Sequence, residues 1–402
     1  MIPPRFLNKT TPPHLFTLVI ATATGALTMN IFLPSLPAIA KHYQADYAVV
    51  QLIVSLYLAA TGTLQLFIGP ASDRYGRRPV MLTCFVVFIL GSIGALFAPT
   101  IETLLAARIL QAFSASGMVL SRAIVRDTVS SDEAASRIGY ITMGMSVVPM
   151  IGPFIGGLLD EYYGWQASFL LILLFGTLAF ALIYLDLGET NKNRSAHVGG
   201  QIRSYLELVR SAEFWCYTLT GGFASGCFFA FLGGGPYVAT VMLGLSPSQY
   251  GMYFALMSVG YMAGNFVSGR FSRDVGINRM MLTGNIVTAL GIFIALAFIF
   301  AGIFTPLSFF APIAMIGVGN GMTLPNANAG IVSVRPRLAG AASGLGGALQ
   351  IGAGAGMASL AGALLSPTSG PVPLLLVMSV SAVGALFPTL YLLRQVRPPE
   401  QS

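Results

Sequence analysis

The chain has 402 residues, of which 55% are hydrophobic and only 9% charged, with a formal net charge of +7. A water-soluble chain of this length carries about a quarter charged residues, so one aqueous core is excluded and lipid must solvate most of the apolar surface. The pI near 9.4 also suits a nucleic-acid binder, but the basic residues stand in short breaks between apolar runs, where positive charge is an orientation signal.

In chain order, Met1 to His14 carries no cleavage site, so the first apolar run is kept as a span. Apolar segments fall at 15–40, 49–70, 80–98, 103–125, 138–159, 165–186, 214–238, 249–270, 280–302, 307–333, 339–366 and 372–394, each long enough to cross a bilayer. Prolines within them, such as Pro34, Pro153 and Pro325, are tolerated because neighbouring helices satisfy the freed backbone groups. Of the 21 basic residues, 18 fall on one side of the resulting topology, all except Lys41, Arg108 and Arg122. That bias places both termini in the cytoplasm and favours an even number of spans. The expected organisation is an N-terminal six-helix bundle (1–186), a polar cytoplasmic linker (187–212) and a C-terminal six-helix bundle (213–402). Within the linker, Gln201 to Arg210 reads as an amphipathic surface helix. Cys84, Cys216 and Cys227 lie in or beside apolar runs without disulfide or metal-ligand spacing, and read as small buried hydrophobes.

Between the second and third spans stands Gly69-Pro-Ala-Ser-Asp73-Arg74-Tyr75-Gly76-Arg77-Arg78-Pro79. A degraded copy, Gly269-Arg-Phe-Ser-Arg273-Asp274-Val-Gly276-Ile-Asn-Arg279, follows 200 residues later. Two related membrane halves are a transporter plan. The hinge resembles the signature of the major facilitator superfamily, in which Asp and Arg residues pair across the cytoplasmic face and latch the outward-facing state. Gly69, Asp73, Arg74, Gly76, Arg77 and Arg78 are the gating residues this implies; the plainer alternative is a basic loop serving only orientation. The fold implied is an all-α membrane protein of twelve transmembrane helices in two pseudo-symmetric bundles.

In the fourth span, Arg108-Ile-Leu-Gln111-Ala112 resembles the superfamily's second signature, with Ala112 in place of its glycine. An arginine two turns inside a span costs several kcal/mol unless it faces a wet cavity or a partner, which makes it a functional candidate; the alternative is a side chain that snorkels to the surface near Glu102. Arg122, Arg126 and Asp127 near the end of this span read as gate and topology residues. In the fifth span, Gly144-x7-Gly152-Pro153-x2-Gly156-Gly157 is similar to the antiporter signature of drug exporters. Physically it predicts close helix packing and a bend. Asn30-Ile-Phe-Leu-Pro34-Ser-Leu-Pro37, Arg122-Ala-Ile-Val-Arg126-Asp127, Asn320-Gly-Met-Thr-Leu-Pro325-Asn326-Ala-Asn328 and the run from Arg335 to Gln350 narrow the resemblance. They are similar to the bicyclomycin-resistance and chloramphenicol-efflux (Bcr/CflA) group of drug:proton antiporters.

One position departs from that group. Where its first-span motif carries an acid thought to take up the proton, this chain has Asn30, and an amide cannot titrate. None of the 14 acids falls in the middle of a predicted span. The expected cavity is therefore neutral to positive, suited to neutral or anionic amphipathic drugs, with a proton as the coupling ion. Asp127 and Asp73 are the remaining candidate carriers. Substrate contacts are expected from Asn30, Tyr57, Arg108, Gln111, Phe228, Phe231, Tyr237, Tyr253 and Tyr261, because aromatic and amide groups suit loosely specific recognition. The expected protein is a monomeric multidrug efflux carrier of the bacterial inner membrane, working by alternating access, with no enzymatic activity, cofactor, metal or nucleic acid. The rival reading is a metabolite exporter (amino acid, sugar or siderophore-like anion) or an uncoupled facilitator.

Overall fold

The computed structural model describes residues 6–129, 131–191, 205–335, 338–366 and 369–395. These residues are helical throughout their regular structure, with no strand among them. The long helices are α1 (Leu15–Tyr43), α2 (Tyr47–Tyr75), α3 (Arg77–Leu96), α4 (Ile101–Thr128), α5 (Ser131–Tyr163) and α6 (Gln166–Asp186). After the linker come α7 (Ala212–Met242), α8 (Pro247–Val275), α9 (Ile277–Phe300), α10 (Pro306–Ser333), α11 (Ala339–Leu364) and α12 (Val372–Gln395). Ten of these are long and apolar enough to cross a membrane; the other two, α5 and α8, are 33 and 29 residues long. Large apolar side chains such as Phe67, Leu90, Leu174, Phe266 and Phe387 are exposed along the helices, as lipid-facing positions require.

Several helices run past the apolar segments that announce them. The first does not stop at residue 40. It passes through a tight 3-10 turn, Leu33–Ser35, led by Pro34, and ends at Tyr43. The fourth has a similar turn at Ala112–Ser114, and the seventh ends in a wide π turn, Val238–Met242. Of the expected linker helix, residues 205–209 are helical, and Leu208 is buried with Phe214, Tyr217 and Met281. Residues 192–204, the bulk of the expected linker, lie outside the described residues, as do Arg337 and Arg397.

The chain divides into two compact units, residues 1–198 with 246–252, and residues 199–245 with 253–402. In the first unit, α1 packs on α4, α5 and α6, and α3 on α4 and α6. The second unit is held by interhelical polar bonds as well as by apolar contact. Asn285 Nδ2 donates to Thr389 Oγ1 (3.1 Å), Thr323 Oγ1 to Asn285 Oδ1 (3.1 Å) and Asn320 Nδ2 to the Ala224 carbonyl (3.1 Å). Asn320 and Thr323 of α10 and Asn285 of α9 thus work as glue between helices, where the alternative is an unpaired polar group in hydrocarbon.

The sequence repeat is also a repeat of backbone. Gly76 (φ +106°) and Gly276 (φ +87°) both end one helix and start the next, in a region closed to side chains with a Cβ. Each donates its amide to a serine carbonyl four residues back, Ser72 and Ser272, at 3.0 Å. The fourth helix of each half opens with the same reciprocal cap, Thr100 with Thr103 and Thr305 with Ser308.

Candidate functional site

Arg108 turns inward and is fully buried. Its Nε donates to the Ile53 carbonyl (3.2 Å), Nη1 to Gln111 Oε1 (2.5 Å) and Nη2 to the Thr28 carbonyl (3.1 Å). The guanidinium plane lies 4.3 Å from the centre of the Phe32 ring and 4.5 Å from that of Tyr57. Desolvated cation–π contacts of this kind contribute about 2 kcal/mol each. Among the described residues no carboxylate pairs with it. Dipoles and ring faces alone hold the charge.

The surrounding groups extend this network. Gln111 Nε2 donates to Ser92 Oγ (3.0 Å), fixing the amide so that its oxygen faces Arg108. The Tyr57 hydroxyl donates to the Gly25 carbonyl (3.1 Å) and lies 3.0 Å from Ser114 Oγ. Arg108 touches Thr28 and Phe32, which flank Asn30 in the chain. Asn30 is itself fully buried; its Nδ2 donates to the Ala26 carbonyl (2.8 Å), while Oδ1 has no partner among the described residues. Buried polar atoms are nearly always paired, so each orphan calls for a reason. Four residues of α2 also carry buried polar atoms with no partner among the described residues: both amide groups of Gln51, the Ser55 and Thr61 hydroxyls and Gln65 Nε2. Sequence reasoning passed over Gln51 and Ser55, although their spacing of four puts them on one helix face.

The fifth-span motif sits directly against this region. A Cβ on Gly156 would stand 1.6 Å from the Ile31 carbonyl oxygen, so α5 crosses α1 at backbone contact. Gly152 faces Asn30 and Ile31 at an ordinary 3.8–3.9 Å. Gly157 meets the backbone of Pro247, which belongs to this same unit. Pro153 lies within the continuous α5, next to these contacts.

The hinge brings three of its charges together. Arg77 Nη1 pairs with Asp73 Oδ1 and its Nε with Asp127 Oδ2 (2.9 Å); Nη1 also donates to Ser72 Oγ (2.6 Å). Burial pulls the Arg77 pKa down, but Asp127 and Asp73 outweigh it and hold the guanidinium above its ordinary value. Asp127 thus pairs with Arg77 on α3 and not with its neighbour Arg126. Arg78 donates to the Tyr184 carbonyl (3.2 Å), and Arg74 stacks 5.2 Å from the Tyr75 ring. Gly69 faces open space. Neither Arg122, half-buried, nor Arg126, exposed, is ion-paired among the described residues.

In the second unit, Phe231 and Tyr253 are joined through Phe310. Tyr253 stacks on Phe310 with ring centres 5.0 Å apart, and Phe231 meets Phe310 edge-on at 6.1 Å and stacks on Phe254 at 6.1 Å. Phe231 is fully buried in this cluster. Tyr237 is buried near the end of α7, and Phe228 and Tyr261 are half-buried.

Two bundles of spanning helices, related by an internal repeat and holding buried polar groups, define a membrane carrier. A family model described as Major Facilitator Superfamily matches residues 18–243 and 228–402. The chain is 33% identical over 388 residues to the uncharacterized MFS-type transporter YdgK of Bacillus subtilis, covering 92% of each chain. It is 28% identical over 370 residues to a bicyclomycin resistance protein homolog of Haemophilus influenzae, covering 91% of this chain and 92% of the relative. With a chloramphenicol resistance protein of Pseudomonas aeruginosa it shares 31% over 298 residues, 73% of this chain and 70% of the relative. A crystal structure of the peptide transporter POT superposes with a TM-score of 0.78 at 14% identity, covering 96% and 97% of the two chains, a likeness of fold alone. The chain belongs to the major facilitator superfamily, within its Bcr/CflA drug-efflux group, and is a carrier and not an enzyme.

Proposed function

We propose that this carrier is a secondary active exporter of neutral or anionic amphipathic drugs in the bacterial inner membrane. It works by alternating access between its two six-helix halves, coupled to inward proton flow, with both termini cytoplasmic. The observation that carries the substrate class is Arg108, a fully buried cation with no carboxylate partner among the described residues, in a chain that has Asn30 where the group otherwise has an acid. A carboxylate there would attract cations; a guanidinium held by dipoles and ring faces repels them and accepts an electron-rich or anionic group. Tyr57 and Gln111 hold that guanidinium, and with the orphan Asn30 Oδ1 they supply the polar contacts. Phe228, Phe231, Tyr237, Tyr253 and Tyr261 supply apolar ones. The Asp73–Arg77–Asp127 cluster acts as a conformational latch, with Arg74, Arg78, Arg122 and Arg126 as its charged surroundings. Gly152, Pro153, Gly156 and Gly157 provide the close helix contacts of α5, with Gly152 and Gly156 against α1 and Gly157 against Pro247.

A drug-sensitive bacterial strain expressing the chain tests this reading. It should accumulate less chloramphenicol than the control strain, and its accumulation of the lipophilic cation tetraphenylphosphonium should be unchanged. The opposite ranking removes the substrate assignment. A metabolite exporter remains the second reading, because Asn30 removes the group's usual proton site; chloramphenicol accumulation equal to the control favours it.

A further inference from the structure

The first residues after α6 hold the hinge from outside. Glu189 Oε1 accepts from the Arg77 amide (2.9 Å) and from the Asn191 amide (2.9 Å), and Oε2 accepts from the Arg78 amide (3.4 Å). Asn191 Nδ2 donates to the Asp73 carbonyl (2.9 Å), and Thr190 Oγ1 to Asp127 Oδ2 (3.4 Å). Three consecutive residues therefore touch all three members of the Asp73–Arg77–Asp127 cluster.

The arrangement answers a need created at Gly76. The first amides of a helix have no partner inside it. Here the N-cap is Gly76, which has no side chain to offer them. A carboxylate 112 residues away in the chain takes that place, at the end of a helix that favours negative charge. The fit is close: a Cβ on Gly76 would stand 2.3 Å from Glu189 Oε2. Gly276 has the same left-handed backbone, and no described residue lies within 4 Å of where its Cβ would be. Turn geometry alone explains both glycines; among the described residues, Gly76 is the one also filled from outside.

We propose that Glu189 is a positioning residue of the latch, one that ties the end of α6 to the start of α3 and so sets where Arg77 reaches Asp73 and Asp127. The proposal rests on reading that cluster as a latch. It makes the first stretch of the linker part of the moving machinery and not a passive tether.

Hydrogen exchange of the full chain in lipid nanodiscs reads the contact, and initial rates of chloramphenicol flux in proteoliposomes read its consequence. In Glu189→Ala, exchange in the peptide 77–80 should quicken roughly fivefold, the size of a lost helix cap. Exchange at 122–128, where Asp127 sits, should rise with it. Flux should slow several-fold with the half-saturating concentration unchanged, and Glu189→Asp should recover part of both. Combined with Asp73→Asn, the Glu189→Ala loss should be smaller than in the wild-type background, because both act through Arg77. Unchanged exchange at 77–80 overturns the contact. Faster exchange there with unchanged exchange at 122–128 and a wild-type rate overturns the positioning role, as does a loss that multiplies fully with that of Asp73→Asn. A wild-type rate in Asp73→Asn alone overturns the latch reading instead, and the exchange at 77–80 separates that failure from this one.

Discussion

The Arg108 guanidinium lies 4.5 Å from the centre of the Tyr57 ring, while the Tyr57 hydroxyl is held by the Gly25 carbonyl and lies within hydrogen-bond distance of Ser114. The ring is thereby fixed as one wall of a cage, with Phe32 as a second. A cation held this way has no counter-charge among the described residues, which is costly inside a membrane and makes Arg108 a functional candidate.

That division of roles gives the first prediction. Arg108→Met keeps the apolar length and removes both the charge and its desolvation penalty. The released desolvation penalty offsets the lost hydrogen bonds and ring contacts. The variant should therefore melt within a few degrees of wild type while transport of chloramphenicol falls at least about tenfold, a loss of 1.4 kcal/mol or more in transition-state terms. Thermal unfolding in detergent and proteoliposome flux measure the two effects separately.

Asn30→Asp restores the acid of the group's first-span motif, on the helix whose Thr28 carbonyl and Phe32 ring hold Arg108. The orphan Oδ1 of Asn30 marks the space where the added charge would sit. Flux of the variant should depend more steeply on pH than that of wild type, and the variant should gain export of tetraphenylphosphonium. Identical pH profiles and no cation export would mean that Asn30 does not line the path.

Asp73 is one of two acids on Arg77, and its side chain is 45% exposed. An ion pair that exposed is worth at most about 1 kcal/mol. Asp73→Asn should insert and fold normally but lower flux by up to about fivefold, since Asp127 remains. Surface expression and initial rates test the pair together, and a wild-type rate would leave the hinge as an orientation signal alone.

Gly156 makes a sharper structural prediction. Its missing Cβ leaves room for the Ile31 carbonyl, and backbone on both sides cannot yield. Gly156→Ala should lower the melting temperature and cost about 1–3 kcal/mol, as overpacking does. Gly269→Ala, where a Cβ meets open space, is the matched control and should change little.

Much of this was legible in the chain. The hinge glycines and the two-half plan could be read because a positive-φ turn demands Gly76 and Gly276 whatever surrounds them. Arg108 could be singled out because a charge inside a span always needs an explanation. Its cage could not, since the Thr28 carbonyl lies 80 residues away and carbonyl acceptors leave no mark in sequence. Phe231 and Tyr253 stand out as aromatic, yet composition does not reveal that Phe310 and Phe254 pack against them. Glu189 follows the last apolar residues of a span like any solvated acid. Asp186 is equally unmarked, though it is fully buried and accepts from the amides of Leu7 and His14 and from the Thr17 hydroxyl, each at 2.7 Å.

The most direct measurement is flux through the purified chain in proteoliposomes, with and without an imposed pH gradient, for chloramphenicol, an anionic amphipath and tetraphenylphosphonium. A drug exporter built around an unpaired arginine should move the neutral and anionic compounds, faster when the gradient drives protons the opposite way, and leave the cation behind. Cation transport as fast as that of the other two, or transport unaffected by the gradient, would contradict it.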